Sequence, residues 1–209
     1  MPNSAAYFGF SRYQGGAGGA PTFSHSTRRI AAGNTIPIYT GDPVMPAVST
    51  ANGYITQGVA GTTRLDGIFV GCKYLNTALG RTIWSPFWPG SGATGDVEAY
   101  VIDDPASRFL VQTSFAGAPM TGANAPTTMT SGIIGQYAQF AIGTGNTSTG
   151  RSGANLSAVG TTITFPFIVV DYQISGNNGG DPASQFCNVI VGFNNEIFRS
   201  NGAGPTGIS

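Results

Sequence analysis

No window of this chain carries apolar residues at helical spacing. What recurs is a short run of β-branched and aromatic residues closed off by Gly, Pro, Asn or Asp. With 32 glycines and 13 prolines in 209 residues, the chain is interrupted too often for long helices, and each run is long enough for one strand. "TIPIY" (35–39) leads through "TGDP" into "VMPAV", and "GYITQGVA" follows. "LDGIFVGCKYL" (65–75) predicts a strong strand, with Gly67 and Gly71 marking a bulge or a close backbone approach. "DVEAYVI" (96–102) and "RFLVQTSF" (108–115) alternate with period two, and "DDPAS" between them reads as the turn of a hairpin. Later come "GQYAQFAI" (135–142), "NLSAVG", "TITFPFIVVDYQI" (162–174) and "QFCNVIVGFNNEIF" (185–198). The last two have apolar runs suited to central strands. The expected fold is all-β, a β-barrel or β-sandwich of jelly-roll or β-tulip-like kind, with no repeat of fixed period.

Three regions depart from this pattern. Residues 1–34 are glycine-rich and hold Arg12, Arg28 and Arg29 with no acid, which predicts an extended N-terminal arm. Such a segment cannot offset its ordering entropy by local contacts, so it is either disordered or laid across another surface. Phe8, Phe10, Tyr13 and Phe23 are spaced anchors for the second case. The β domain then runs over 35–198, with a long small-residue loop at 115–133 and a flexible "GNNGGDP" loop at 176–182. Residues 199–209 form a C-terminal tail.

Composition excludes several classes. Charged residues are 9% of the chain, against about 25% in a typical domain, and nine bases balance nine acids. This is not a nucleic-acid-binding balance. No segment has the roughly 18 apolar residues of a membrane span, and the N-terminus has no conventional signal peptide. So sparsely charged a surface suits a protein covered by neighbours or working outside a cell. Cys72 and Cys187 read as buried small apolar residues.

The search for catalytic groups yields little. His25, the single histidine, sits in the arm beside Ser24 and Ser26, where no rigid scaffold would hold a triad. No metal is expected, since one histidine and two distant cysteines do not make a zinc site. Asp103-Asp104 precedes Pro105 and reads as a turn, with Arg108 as its local ion-pair partner; a glycosidase would need two acids facing each other across a cleft. "GTGNTSTGRSG" (143–153) shares only its glycines with a phosphate-binding loop. No cofactor is expected.

"TIWSPFWPG" (82–90) holds both tryptophans of the chain, with Phe87 between them. Pro86 and Pro89 would keep it from pairing with further strands and so guard a sheet edge. Trp84, Phe87 and Trp88 pack either on the domain's own core or on a neighbouring subunit.

Five phrases, in order, carry a family resemblance: "AYFGFSRY" followed by "NTIPIYTGDPV" (34–44), "LDGIFVGCKYLNTALGRTIWSPFWPG" (65–90), "EAYVIDDPASRFLVQ" (98–112), "IGQYAQFAIGTGNTSTGRSGANL" (134–156) and "NVIVGFNNEIF" (188–198). With them the chain resembles a group of tailed-bacteriophage structural proteins encoded with the capsid genes, over most of its length. The resemblance implies a non-enzymatic virion protein, made in the bacterial cytoplasm, that decorates or cements the outer surface of the phage head. Its implied partners are the major capsid protein and itself, as a homotrimer, with no nucleic acid and no membrane. The expected shell or subunit contacts are Phe8, Phe10, Tyr13, Phe23, Arg28, Arg29, Trp84, Phe87 and Trp88. One departure is Glu196 after Asn194-Asn195, where the pattern would have histidine. Two other readings compete: a low-copy head fibre or tail adhesin that binds host glycans through an exposed aromatic platform, and a virion-associated glycosidase or esterase.

Overall fold

The computed structural model describes residues 4–14, 25–47, 53–114, 133–173 and 186–196. Phe23, the loop over 115–133 apart from Ile133, the 176–182 loop and the 199–209 tail fall outside them. The strands are β1 (Ser11–Gln14), β2 (Ser26–Ile30), β3 (Ile38–Tyr39), β4 (Pro43–Pro46), β5 (Ile55–Gln57), β6 (Gly67–Asn76) and β7 (Arg81–Ser85). They continue as β8 (Phe87–Trp88), β9 (Val97–Ile102), β10 (Arg108–Gln112), β11 (Tyr137–Ala141), β12 (Asn155–Gly160), β13 (Phe167–Tyr172) and β14 (Asn188–Phe193).

These strands make two large antiparallel sheets and one small one. The first runs β1-β10-β14-β13-β11-β12, and a bridge from Thr113 to Leu156 brings its β12 edge back to the end of β10. The second runs β2-β9-β6-β4-β5, and a bridge from Arg29 to Tyr54 brings β5 back to β2. Each sheet therefore curls until its ends meet at one bridge, a barrel-like arrangement, or barrel for short, that leaves fewer open edges. The third sheet pairs β3 with β8.

Each barrel has its own core. Phe10, Phe109, Phe140, Phe167 and Phe193 dominate the first, with rings 4.5 to 6.5 Å apart in stacked and edge-on pairs. Ile30, Ile38, Val44, Phe69, Tyr74 and Trp88 dominate the second. The two are fused, because Leu65 and Ile68 and Ile102, at the ends of β6 and β9, point into the first core. β13 and β14 are central, as their apolar runs require, and every residue of β14 is buried.

Gly67 shows why the sequence breaks where it does. Its φ is +146°, and a Cβ there would lie 2.4 Å from the carbonyl oxygen of Ile102. Only glycine lets β6 and β9 approach this closely. The register between them then shifts between Phe69 and Gly71, the bulge that the two glycines suggest.

The structure corrects one expectation. β9 and β10 do not form a hairpin: β9 pairs with β2 and β6, whereas β10 pairs with β1 and β14. The "DDPAS" turn carries the chain from one barrel to the other. Period-two alternation identifies a strand but not its partner, so the shortness of the turn misled. Within the N-terminal stretch, Ser11–Gln14 and Ser26–Ile30 are strands of the molecule itself, β1 paired with β10 and β2 with β9.

A buried carboxylate ties these parts together. Asp42 lies in the turn between β3 and β4 and accepts hydrogen bonds from Ser152 Oγ at 2.5 Å, the Tyr39 N–H at 2.8 Å and Gln57 Nε2 at 2.7 Å. Ser152 precedes β12 of the first barrel, while Gln57 ends β5 of the second. The neighbouring Gly41 carbonyl accepts from the Phe10 N–H at 2.9 Å, which seats the N-terminal strand. Gly9 beside it has φ +73°, and a Cβ there would sit 2.6 Å from that of Ser152.

Burial pushes the Asp42 carboxyl above the usual carboxylate range, against the pull of the bonds from Ser152, Tyr39 and Gln57. A folded pKa above the unfolded one makes this group's contribution fullest in acid, and that contribution is lost as pH rises through the folded value. Ser152→Ala should therefore cost about 2 kcal/mol when Asp42 is ionised, and less in acid, where the carboxyl is protonated. Urea unfolding across pH measures the difference; a loss independent of pH would contradict an ionised partner for Ser152.

Candidate functional site: the outer face of the β6–β7 hairpin

The segment 82–90 is divided at Pro86. Before it, β7 pairs with β6 from Cys72↔Ser85 to Asn76↔Arg81 without a register break. After it, β8 pairs with β3, so the prolines separate two pairings rather than prevent pairing. The Pro86 carbonyl accepts from the Thr40 N–H at 3.1 Å, and Ser85 Oγ caps the corner by accepting from the Phe87 N–H at 3.2 Å.

The aromatic residues of the segment part company here. Trp88 is 0% exposed, lies edge-on to Tyr74 at 5.3 Å and donates from Nε1 to the Asn34 carbonyl at 3.2 Å. Phe87 is half-buried and stacks flat on Tyr39, with centroids 5.3 Å apart. Trp84 is 70% exposed. The core reading thus holds for Trp88, and only Trp84 presents its ring to solvent.

Trp84 is nevertheless held in place. Its ring stacks on Tyr100 with centroids 5.4 Å apart and planes 7° from parallel, and Lys73 Nζ lies 5.2 Å from its centroid. Lys73 pairs with Glu98 at 2.8 Å, and the Tyr100 hydroxyl donates to Glu98 at 2.8 Å. The register explains the cluster: Arg29, Glu98, Lys73 and Trp84 are successive cross-strand neighbours over β2, β9, β6 and β7. Gly71, opposite Tyr100, has no side chain and opens a shallow depression of ≈ 320 Å³ between His25, Val70, Trp84, Pro86 and Tyr100.

The charges reflect these contacts. Bonds from Lys73, then from Tyr100, hold the Glu98 carboxyl below its usual range. Burial, reinforced by the bond to Glu98, pushes the Tyr100 phenol up to about 12. The hairpin beside them also exposes apolar side chains: Val70 is 37%, Leu75 41% and Leu79 57% exposed.

The other expected contact residues lie elsewhere. Phe10 is a core residue stacked on Phe167 at 4.5 Å, Phe8 is half-buried, and Tyr13 and Arg29 are exposed. Arg28 turns inward, with Nε 3.1 Å from Asp66 and Nη2 2.8 Å from Asp103. Burial raises the Asp66 carboxyl, and Arg28 opposes that rise. Asp103 therefore pairs with Arg28, not with Arg108, and also accepts from Ser26 Oγ at 2.9 Å. Asp104 closes the turn by accepting from the Ala106 N–H at 3.0 Å. Cys72 and Cys187 are buried and not in a disulfide, and burial pushes the Cys72 thiol to about 12. Asn194 donates from Nδ2 to the carbonyls of Ile163 and Phe165 at 2.8 and 2.7 Å, clamping the turn before β13.

Among the described residues no group of three His, Cys, Asp or Glu side chains could hold a metal ion, and no helix is long and apolar enough to cross a membrane. No family model, no curated protein and no solved structure matches this chain.

Tyr100, Glu98 and Lys73 were not singled out from sequence. The alternation of "DVEAYVI" placed Glu98 and Tyr100 on one face, but nothing local named β6 and β7 as the strands beside them. Trp88→Ala should cost about 3–5 kcal/mol of stability, and Trp84→Ala about 1 kcal/mol, the scale of an exposed stacked pair. Chemical denaturation of both variants checks this; equal losses would contradict the assignment of one ring to core and the other to surface.

Proposed function

We propose that this chain is a non-enzymatic virion structural protein that decorates and stabilises the head of a tailed bacteriophage, bound as an oligomer to the outer surface of the major capsid protein shell. The observation that carries this reading is the β6–β7 hairpin. It gathers Val70, Leu75, Leu79 and Trp84 on one exposed element, in a chain with only 9% charged residues. Exposed apolar side chains on one element suit an interaction site, and an exposed aromatic ring held by Tyr100 and Lys73 has the make-up of an interface anchor. The resemblance of the five sequence phrases to phage head proteins suggests the partner. Two fused barrels with few open edges suit a part that must resist strain without pairing at random. Repetition over a shell lets modest single contacts add up.

A second reading has one observation in its favour. Trp84 is a flat platform beside a polar Lys73–Glu98 pair, an arrangement that also suits a sugar ring, as in an adhesin for host glycans.

Purified chain added to heads that lack it should bind them and raise their melting temperature. Trp84→Ala should weaken that binding about thirtyfold or more, as a central anchor does, while the variant stays folded. Heads that bind the variant as well as the parent would remove Trp84 from the contact. Release of the parent from heads by free monosaccharides would favour the glycan reading.

A further inference from the structure

The decoration reading leaves open what sort of surface the hairpin meets, and the topology narrows it. β2 and β5 close on each other through Arg29 and Tyr54, and β12 closes on Thr113. β1 ends its sheet with a register break between Arg12 and Gln14. β3 and β8 are two residues each. Among the described strands this leaves β7 as an edge that is regular and open: it pairs with β6 alone, in unbroken register. Open regular edges are normally blunted by a bulge, a proline or an inward charge. Here Arg81 and Pro86 stand at the two ends of the strand, and Thr82, Ile83, Trp84 and Ser85 between them carry neither charge nor proline.

Charge narrows it further. Between Asp66 and Asp96 the sequence has Lys73 and Arg81 and no acid. Arg81 is exposed and has no ion-pair partner among the described residues. The depression beside Trp84 is shallow and mostly apolar, lined by Val70, Gly71, Cys72, Pro86 and Tyr100 with His25 and Ser85, and has room for an apolar side chain.

We propose that β7 takes up an extended segment of the shell protein as an added strand. That segment carries an apolar side chain seated against Trp84 and a carboxylate that meets Arg81. The backbone of Thr82–Ser85 supplies affinity through main-chain hydrogen bonds, while the ring and the cation set register and choice of partner. This inference rests on the decoration reading and deepens it.

Hydrogen–deuterium exchange on the full chain, free and bound to purified heads, tests it. Binding should slow the outward amides of residues 82–85 about tenfold or more, in the range of a newly formed strand ladder. Arg81→Glu should weaken binding about tenfold and flatten its dependence on salt. If the chain binds heads while the 82–85 amides exchange at the free rate, strand addition is overturned and decoration stands. Slowing that follows the chain's own concentration without heads would assign the edge to a second copy and overturn the shell segment as occupant. Failure to bind heads at all would bring down both readings.

Discussion

The burial of one carboxylate constrains much of this molecule. Asp42 is removed from water in a turn between two short strands, and it tolerates that place because three donors converge on it from three directions. Those donors belong to both barrels, and the adjacent Gly41 carbonyl holds the N-terminal strand. A buried charge with fewer partners would favour neutralisation or local opening. The fused architecture is therefore one cooperative arrangement at this point, and glycine at Gly9 is needed because Ser152 occupies the space a side chain would take.

The same economy governs the aromatic segment. One proline at the corner lets neighbouring residues serve different sheets. Trp88 fills the second core, Phe87 backs onto Tyr39, and Trp84 remains outside, steadied by Tyr100 and by the Lys73–Glu98 pair. A ring fixed before binding loses less entropy on contact than a free one. Exposure and rigidity together are what distinguish Trp84 from a stray surface hydrophobe. That combination, together with the resemblance read from the five sequence phrases, is what the proposed decoration role rests on.

Much of the strand content was legible because period two, β-branching and turn residues are local signals. The central place of β13 and β14 followed from their unbroken apolar runs, and the β6 bulge from Gly67 and Gly71. What sequence could not supply was pairing. The alternation on either side of "DDPAS" is equally compatible with a hairpin and with a crossover between barrels; the choice is made by distant strands, β2 and β6 on one side and β1 and β14 on the other. The same gap hid the site. Tyr100 and Trp84 are 16 residues apart in number and meet only because both flank β6. Arg28 looked like a free cation of an arm because Asp66 and Asp103, which hold it, lie far along the chain. Phe10 looked like a docking anchor because the core it joins is assembled from residues far along the chain, from Leu65 to Phe193.

The most direct test of the account is the number of copies of this chain per major capsid protein in purified virions. A shell decoration protein should be present at comparable abundance, in a fixed ratio from particle to particle. A handful of copies per virion, or none, would contradict decoration: the first would move the Trp84 face to a fibre or adhesin, and the second would take the chain out of the particle.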